Sequence, residues 1–351
     1  MIHQSKTDSR QNIRFKRWCR RIQWAYLAFL AVAVALLWKT GDAWWLGTVL
    51  CFGPRWIVLS PLPILISAAL FDRRAQLLPV ALSCLLIPTW LGFSFAMTKD
   101  SPFSTSNRFR VISFNAQGGR CDLQSFANFA EQWGADVIVF QESNAQLFKA
   151  HFPAGWEWGN GEGGSLIASR HPIVDLKFVK HHGLLELGSC LAADLQVGEY
   201  VVRVGAVHLP TPREGLEALV HRDVRFIAAM ANERQRRIAI SKEAAEFLVQ
   251  EHAADVVAGD FNLPIESLIF QDYWGALTDA FSAAGFGLGY TKYTRWHGVR
   301  IDHVLIRNTN IGVISATVGP DVGSDHRPLL VELALPPPRK KTTPSRPIAA
   351  N

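Results

Sequence analysis

VVAGDFNLP, residues 256–264, runs from a short apolar segment into an acid and an amide one residue apart. Read locally, Gly259, Asp260, Asn262 and Pro264 are turn residues and the stretch is a loop. Read as a strand end, the apolar run is buried, and Asp260 and Asn262, two residues apart, share one face. The first reading gives a plain connection, the second a reactive carboxylate beside an amide. What separates them is whether other strand ends in the chain carry matching chemistry.

They do. RVISFNAQ (110–117) ends in Asn115, and ADVIVFQES (135–143) ends in Gln141 and Glu142. YVVRVGAVHLP (200–210) ends in His208, RIDHVLI (300–306) carries Asp302 and His303 near its start, and VGSDHRPLLVELAL (322–335) places Asp325 and His326 just before an apolar run. Helical spacing of apolar residues fills the gaps, with Leu123, Phe126, Phe129 and Ala130 in 122–133 and Ile238, Ala244, Ala245 and Leu248 in 232–252. Strands and helices intermingle, which predicts a mixed α/β domain of about 240 residues.

Taken singly, each cluster is an ordinary strand-end or loop group. Together they hold the inventory that a hard divalent cation and a phosphate need. Mg²⁺ takes oxygen ligands and keeps several waters, so one or two carboxylates suffice, with Glu142 and Asp325 as candidates. Asn115, Asn262 and His208 can donate hydrogen bonds to a phosphate. Asp260 or His326 can orient or deprotonate a water, and Asp302 can fix the tautomer of His326.

The ordered set SFNAQ, QES, VHLP, GDFN, RIDHV and GSDHRP closely resembles the endonuclease/exonuclease/phosphatase superfamily, of DNase I-like fold, over residues 108–335. GGSLIASRHPI (163–173) and LTDAFSAAGFGLGYT (277–291) resemble the family's intervening segments. The resemblance implies a four-layer α-β-β-α sandwich with its site at the strand ends of one edge. It implies that Asn115 and Glu142 bind or orient Mg²⁺ or Mn²⁺, with Asp325 completing that site or holding a second ion. His208 would hydrogen-bond the scissile phosphate, Asp260 position the attacking water, Asn262 contact the phosphate and Asp302 orient His326. Catalysis would be in-line attack of water on phosphorus. Gln117 stands where the abasic-site endonuclease branch carries an aspartate, a departure that argues against that branch.

The first third of the chain is of another kind. WAYLAFLAVAVALLW (24–38) has no charge, and two further apolar stretches follow. They predict an all-α transmembrane region of about three helices over 22–97, with spans near 22–38, 56–71 and 76–97 and a loop or interfacial segment at 43–54. A cleavable signal peptide would have one apolar core, and core helices of a soluble protein would have polar faces. Residues 98–107 read as a linker and 336–351 as a disordered tail. The basic segment 1–21 holds seven Lys/Arg against Asp8 alone, which keeps it cytoplasmic and puts the catalytic domain of this multi-pass plasma-membrane protein outside the cytoplasm.

Net charge is +6, yet residues 105–338 carry 20 basic against 26 acidic side chains, so the positive charge sits at the chain ends. The overall positive charge is therefore no sign of a nucleic-acid surface, although Arg213, Arg222, Arg225, Arg234, Arg236 and Arg237 could form a local groove. The expected function is a membrane-anchored phosphoesterase acting on nucleic acid, phospholipid or a small phosphoester, with no obligate protein partner. A lipid substrate would call for exposed aromatics near the site, with Trp156, Trp158, Trp274 and Trp296 as candidates. The competing reading is a catalytically silent binding module on the same anchor. Five cysteines show no metal-type spacing, and Cys121 and Cys190 could pair or stay free.

Overall fold

The computed structural model describes residues 2–71, 73–96, 107–161, 163–178 and 189–336. The expected linker, apart from Asn107, and the expected tail, apart from Pro336, lie outside the described residues. The helices used below are α1 (Ile2–Thr40), α2 (Trp45–Phe52), α3 (Leu62–Phe71), α4 (Arg73–Leu91), α5 (Leu123–Trp133), α6 (Ala145–Lys149), α7 (Arg213–Val220), α8 (Phe226–Ala245) and α9 (Leu268–Tyr273). Two six-stranded sheets are built from β1 (Arg108–Asn115), β2 (Val137–Gln141), β3 (Glu157–Asn160), β4 (Leu166–Ser169), β5 (Ile173–Phe178), β6 (Ser189–Val197), β7 (Tyr200–His208), β8 (Val256–Asp260), β9 (Thr278–Asp279), β10 (Asp302–Ile306), β11 (Gly312–Val318) and β12 (Leu329–Ala334).

The strand orders are β11-β12-β1-β2-β4-β3 and β9-β10-β8-β7-β6-β5. Side chains alternate between two buried faces, as strands covered on both sides require. Phe109 and Val111 of β1 enter the core between the sheets, with Leu191, Ala206, Val256, Ala258 and Val304 of the second sheet. Ile112 and Phe114 point the other way, against Phe126 and Ala130 of α5. Val207, Val257 and Leu305 do the same in the second sheet, against Ile240 and Ala244 of α8 and Leu248 just beyond it. The result is helix, sheet, sheet, helix. Helix α5 begins at Asp122, whose carboxylate accepts from the Ser125 N–H, and stops at Gly134 in the left-handed region.

Each sheet has one parallel pair, β1/β2 and β7/β8, and a parallel pair needs a crossover. Helix α5 makes the first, and α7 and α8 make the second. Each pair brings its own strand ends together, Asn115 with Gln141 and His208 with Asp260, and the Asn115–Asp260 contact puts both sets at one edge of the sandwich. Antiparallel β10 starts at that edge, pairing Asp302 with Asp260.

Gly259 is needed for the close approach of β8 to β7. A Cβ built on it would lie 1.9 Å from the Val207 carbonyl oxygen, and its φ of 153° is one that side chains disfavour. Gly259→Ala is expected to cost about 3 kcal/mol, a fall of roughly 6–12 °C in Tm, readable by thermal denaturation.

The N-terminal helices pack together through Tyr26, Leu30, Ala33 and Leu37 of α1, Cys51 and Phe52 of α2, Leu65 and Ala69 of α3 and Val80 and Trp90 of α4. The same cluster includes Val299 and Ile301 of the sandwich. Among the described residues, Ile13–Thr40 is the one helix long and apolar enough to cross a membrane. Trp45–Phe52 and Arg55–Leu70, bent by 87°, pass that test only when taken together, and Leu77–Leu91 is a shorter apolar helix. Residues 43–54, expected as a loop or interfacial segment, hold α2, and α4 ends at Leu91, before the expected limit of 97. Gly92, with φ 73°, stops α4, and Ser94–Phe95 then pair with Phe286–Gly287 of the sandwich.

Candidate active site

The eight residues singled out in the sequence form one connected set, each joined to the next by a contact of 4.0 Å or less. Asn115, at the end of β1, links the two sheets. Its Nδ2 donates to Glu142 Oε1 at 3.1 Å and to Asp260 Oδ2 at 3.0 Å, while its Oδ1 accepts from the Gln117 N–H at 3.0 Å. Glu142 directly follows β2 with φ 48°, an unfavourable conformation for a side-chain-bearing residue, and its carbonyl accepts from Gly118 N–H.

On the other sheet Asp260 Oδ1 accepts the Asn262 N–H at 2.9 Å. His326 lies between two carboxylates, with Nδ1 2.8 Å from Asp302 Oδ2 and Nε2 3.6 Å from Asp260 Oδ2. His208 Nε2 is 3.8 Å from Asp260 and 3.9 Å from Glu142. Asn262, also at positive φ, commits its Nδ2 to the Leu209 carbonyl at 2.8 Å, which leaves its second amide hydrogen to donate elsewhere. Asp325 Oδ1 is 4.0 Å from His326 Nε2.

Burial raises the proton affinity of the Asp260 carboxyl, and the nearby charge of Asp302 raises it further. Burial alone would lower His326, but Asp302 and Asp260 outweigh it and push the imidazole up to about 9. Two buried oxygens, Asp302 Oδ1 and Asp325 Oδ1, have no hydrogen-bond partner among the described residues. Asp260, Asp302 and His326 also bring three potential ligand atoms within 4.8 Å of one another.

Sequence reading missed three contributors. Lys292 sits one residue beyond the resembling segment 277–291 and ion-pairs with Asp325. Ser324 Oγ donates to the Asn115 carbonyl at 2.9 Å and accepts the His326 N–H at 3.1 Å. Thr291 Oγ1 accepts the Asp302 N–H at 3.1 Å. These are backbone-tethering roles, which residue type and spacing do not reveal, apart from the charge of Lys292.

Other candidates are redistributed. Trp156 and Trp274 are buried in the two outer cores and Trp158 is partly buried, whereas Trp296 is 70% exposed. Arg237 is buried and Arg225 is paired with Asp223, so the six arginines do not make one open groove. Cys121 and Cys190 are free and buried in opposite outer layers of the sandwich.

A model of the Endonuclease/Exonuclease/phosphatase family matches residues 112–326, a span that includes every one of the eight residues. The chain belongs to that family. Members of the endonuclease/exonuclease/phosphatase family are hydrolases acting on phosphoester bonds. Among curated proteins no sequence matches the chain. Among solved structures, a humanized TDP2 of D. rerio carrying 14 mutations superposes with a TM-score of 0.51 at 15% identity, covering 65% of this chain and 99% of that one. D. rerio TDP2 complexed with a single-strand DNA product gives 0.50 at 13% identity, covering 64% and 98%. At these identities the likeness is one of fold.

Proposed function

We propose that the chain is a membrane-anchored phosphoesterase that hydrolyses its substrate by in-line attack of an activated water. The observation that carries this reading is the Asn115–Asp260–His326–Asp302 chain of contacts, with Glu142 and His208 beside it. Glu142, Asp260, Asp302 and Asp325 outnumber the positive charges of Lys292 and the His326 imidazolium, so a phosphate needs a further cation to enter. The unpartnered oxygens Asp302 Oδ1 and Asp325 Oδ1 and the oxygen-rich donor set fit Mg²⁺ or Mn²⁺. Glu142, with Asn115 beside it, and Asp325 would hold it. When bound, the cation offsets charge on the phosphoryl oxygens.

The protein's own groups do the rest. Asp260, its proton affinity raised by burial, takes the proton of the attacking water. His326, held as imidazolium between Asp302 and Asp260, donates from Nε2 rather than acting as base. His208 donates to a phosphoryl oxygen, and Asn262 offers its second amide hydrogen. Asn115 keeps Glu142 and Asp260 at a fixed separation.

Anchoring is supported by the apolar surface of the helices. Phe29, Val32, Ile64, Leu70, Leu78 and Leu85 are all exposed, as lipid-facing residues are. With 1–21 cytoplasmic, the sandwich faces outward. Exposed Trp56, next to the helices, donates from Nε1 to the carbonyl of exposed Trp296 at 3.2 Å. Lys292 pairs with Val299 and Tyr293 with Gly298, so Trp296 lies in the turn of the hairpin that carries Lys292, and that hairpin links the site to the aromatic contact with Trp56. This favours a phosphoester borne by an amphiphile at the bilayer surface over free nucleic acid.

The test is hydrolysis of bis-p-nitrophenyl phosphate, then of a phospholipid in vesicles, by the full chain with Mg²⁺ or Mn²⁺. Trp296→Ala is expected to raise KM for the vesicle substrate about tenfold and leave bis-p-nitrophenyl phosphate turnover unchanged. Equal effects on both substrates count against a role for the aromatic contact. No turnover of any phosphoester leaves the silent binding module.

A further inference from the structure

The residues after Asp260 are gripped by the N-terminal helices. Gly41, in the turn between α1 and α2, presses on them so closely that a Cβ there would come within 2.5 Å of the Glu266 carbonyl oxygen and 2.7 Å of the Leu268 nitrogen. Asp42 beside it is fully buried. Its Oδ1 accepts the Leu268 N–H at 3.1 Å and its Oδ2 lies 3.3 Å from Arg237 Nη1. Arg237, on α8 and also buried, lies against the Phe52 ring of α2 and donates from Nη2 to the Asn262 carbonyl at 2.9 Å. A second buried ion pair crosses the same boundary, Arg55 to Glu266 at 2.5 Å.

We infer that Asp42 is a positioning residue of the active site, acting through Arg237 on Asn262. This rests on the reading of Asp260 and Asn262 as active-site groups. Asn262 has φ 49°, a conformation that persists only where the surroundings hold it. Its carbonyl is held by Arg237, its amide side chain by the Leu209 carbonyl, and its N–H in turn fixes Asp260 Oδ1. Arg237 stays in place because Asp42 is its ion-pair partner, with the buried Glu233 carboxylate adding a weaker attraction from the same helix. Without Asp42 the buried guanidinium loses that partner and turns away from the Asn262 carbonyl. Asn262 then loses its restraint, and the Asp260 carboxylate loses the donor that orients it. The anchor is thus part of the catalytic scaffold and not only a tether.

The decisive variant is Asp42→Leu/Arg237→Met in the full chain, in detergent. Both charges go together, so no unpaired ion is left and the fold is expected to survive. Two readouts are needed, amide hydrogen exchange of 261–268 and the kinetics on bis-p-nitrophenyl phosphate. Exchange in 261–268 is expected to rise at least about tenfold while β8 stays protected, and kcat to fall about tenfold or more at unchanged KM. Leu248→Ala, a core truncation elsewhere in the outer layer, is expected to lower Tm without either change. Unchanged exchange, or unchanged kcat in the face of faster exchange, overturns the inference. If the wild-type chain turns nothing over, the phosphoesterase reading fails, while the exchange data still decide whether Asp42 holds the segment. Should the double variant not fold, Asp42→Asn is compared with Leu248→Ala at equal loss of Tm on the same readouts.

Discussion

Asp260→Asn is expected to lower kcat on bis-p-nitrophenyl phosphate about 10³-fold, with KM and the fold unchanged. The substitution keeps the shape and the oxygen that accepts the Asn262 N–H, and removes the charge and the proton acceptor. Asp260 touches each neighbour that matters: Asn115 by a hydrogen bond, His326 at 3.6 Å and His208 at 3.8 Å. A buried carboxyl whose proton affinity is raised is better matched to taking a proton near neutrality than a solvated one. His326 does not substitute for it, because its two flanking carboxylates favour the charged ring. Steady-state kinetics of the purified variant, with circular dichroism as a fold check, measure the effect. A loss below tenfold would remove Asp260 from the role of base.

The second large effect concerns the cation. Glu142→Gln is expected to weaken Mn²⁺ at least about tenfold, since loss of even an outer partner of a metal ligand costs 10–100-fold. Glu142 is the most exposed of the four carboxylates, stands in a strained backbone conformation and already faces the Asn115 amide. Chelation of the wild type is expected to abolish turnover, and Mn²⁺ to restore it. In the variant, excess Mn²⁺ is expected to recover much of kcat, because the water-activating groups remain. The measurement is the Mn²⁺ dependence of the rate, alongside calorimetric titration. An unchanged Mn²⁺ dependence would place the cation elsewhere, with the Asp260–Asp302–His326 group as the next candidate.

Much of the sandwich was legible because strand ends announce themselves. The short apolar runs closing at Asn115, Glu142, His208 and Asp260 do so in chain order, and parallel pairing brings such ends together within each sheet. VVAGDFNLP reads as a strand once its partners are known, and Gly259, a turn residue in the local reading, instead serves the close packing of β8 on Val207.

Less legible were contacts between residues far apart in sequence. Asp42 carries no mark of its role in the sequence, because its partner Arg237 lies 195 positions on. Arg237, in turn, is indistinguishable in the sequence from Arg234 and Arg236, with which it was expected to form a local groove. Trp156 and Trp274 could not be told from surface aromatics, since composition does not say which side of an outer layer a ring occupies. The helix boundaries at Phe52 and Leu91 depended on Gly53 and Gly92, whose breaks fall inside continuous apolar stretches.

The most direct test of the central claim is hydrolysis of bis-p-nitrophenyl phosphate by the full chain in ¹⁸O-labelled water with Mn²⁺. In-line attack of water on phosphorus places one ¹⁸O in the p-nitrophenyl phosphate and none in the p-nitrophenol, at a rate well above that of Asp260→Asn. Label in the phenol, or no turnover above that variant, would contradict it.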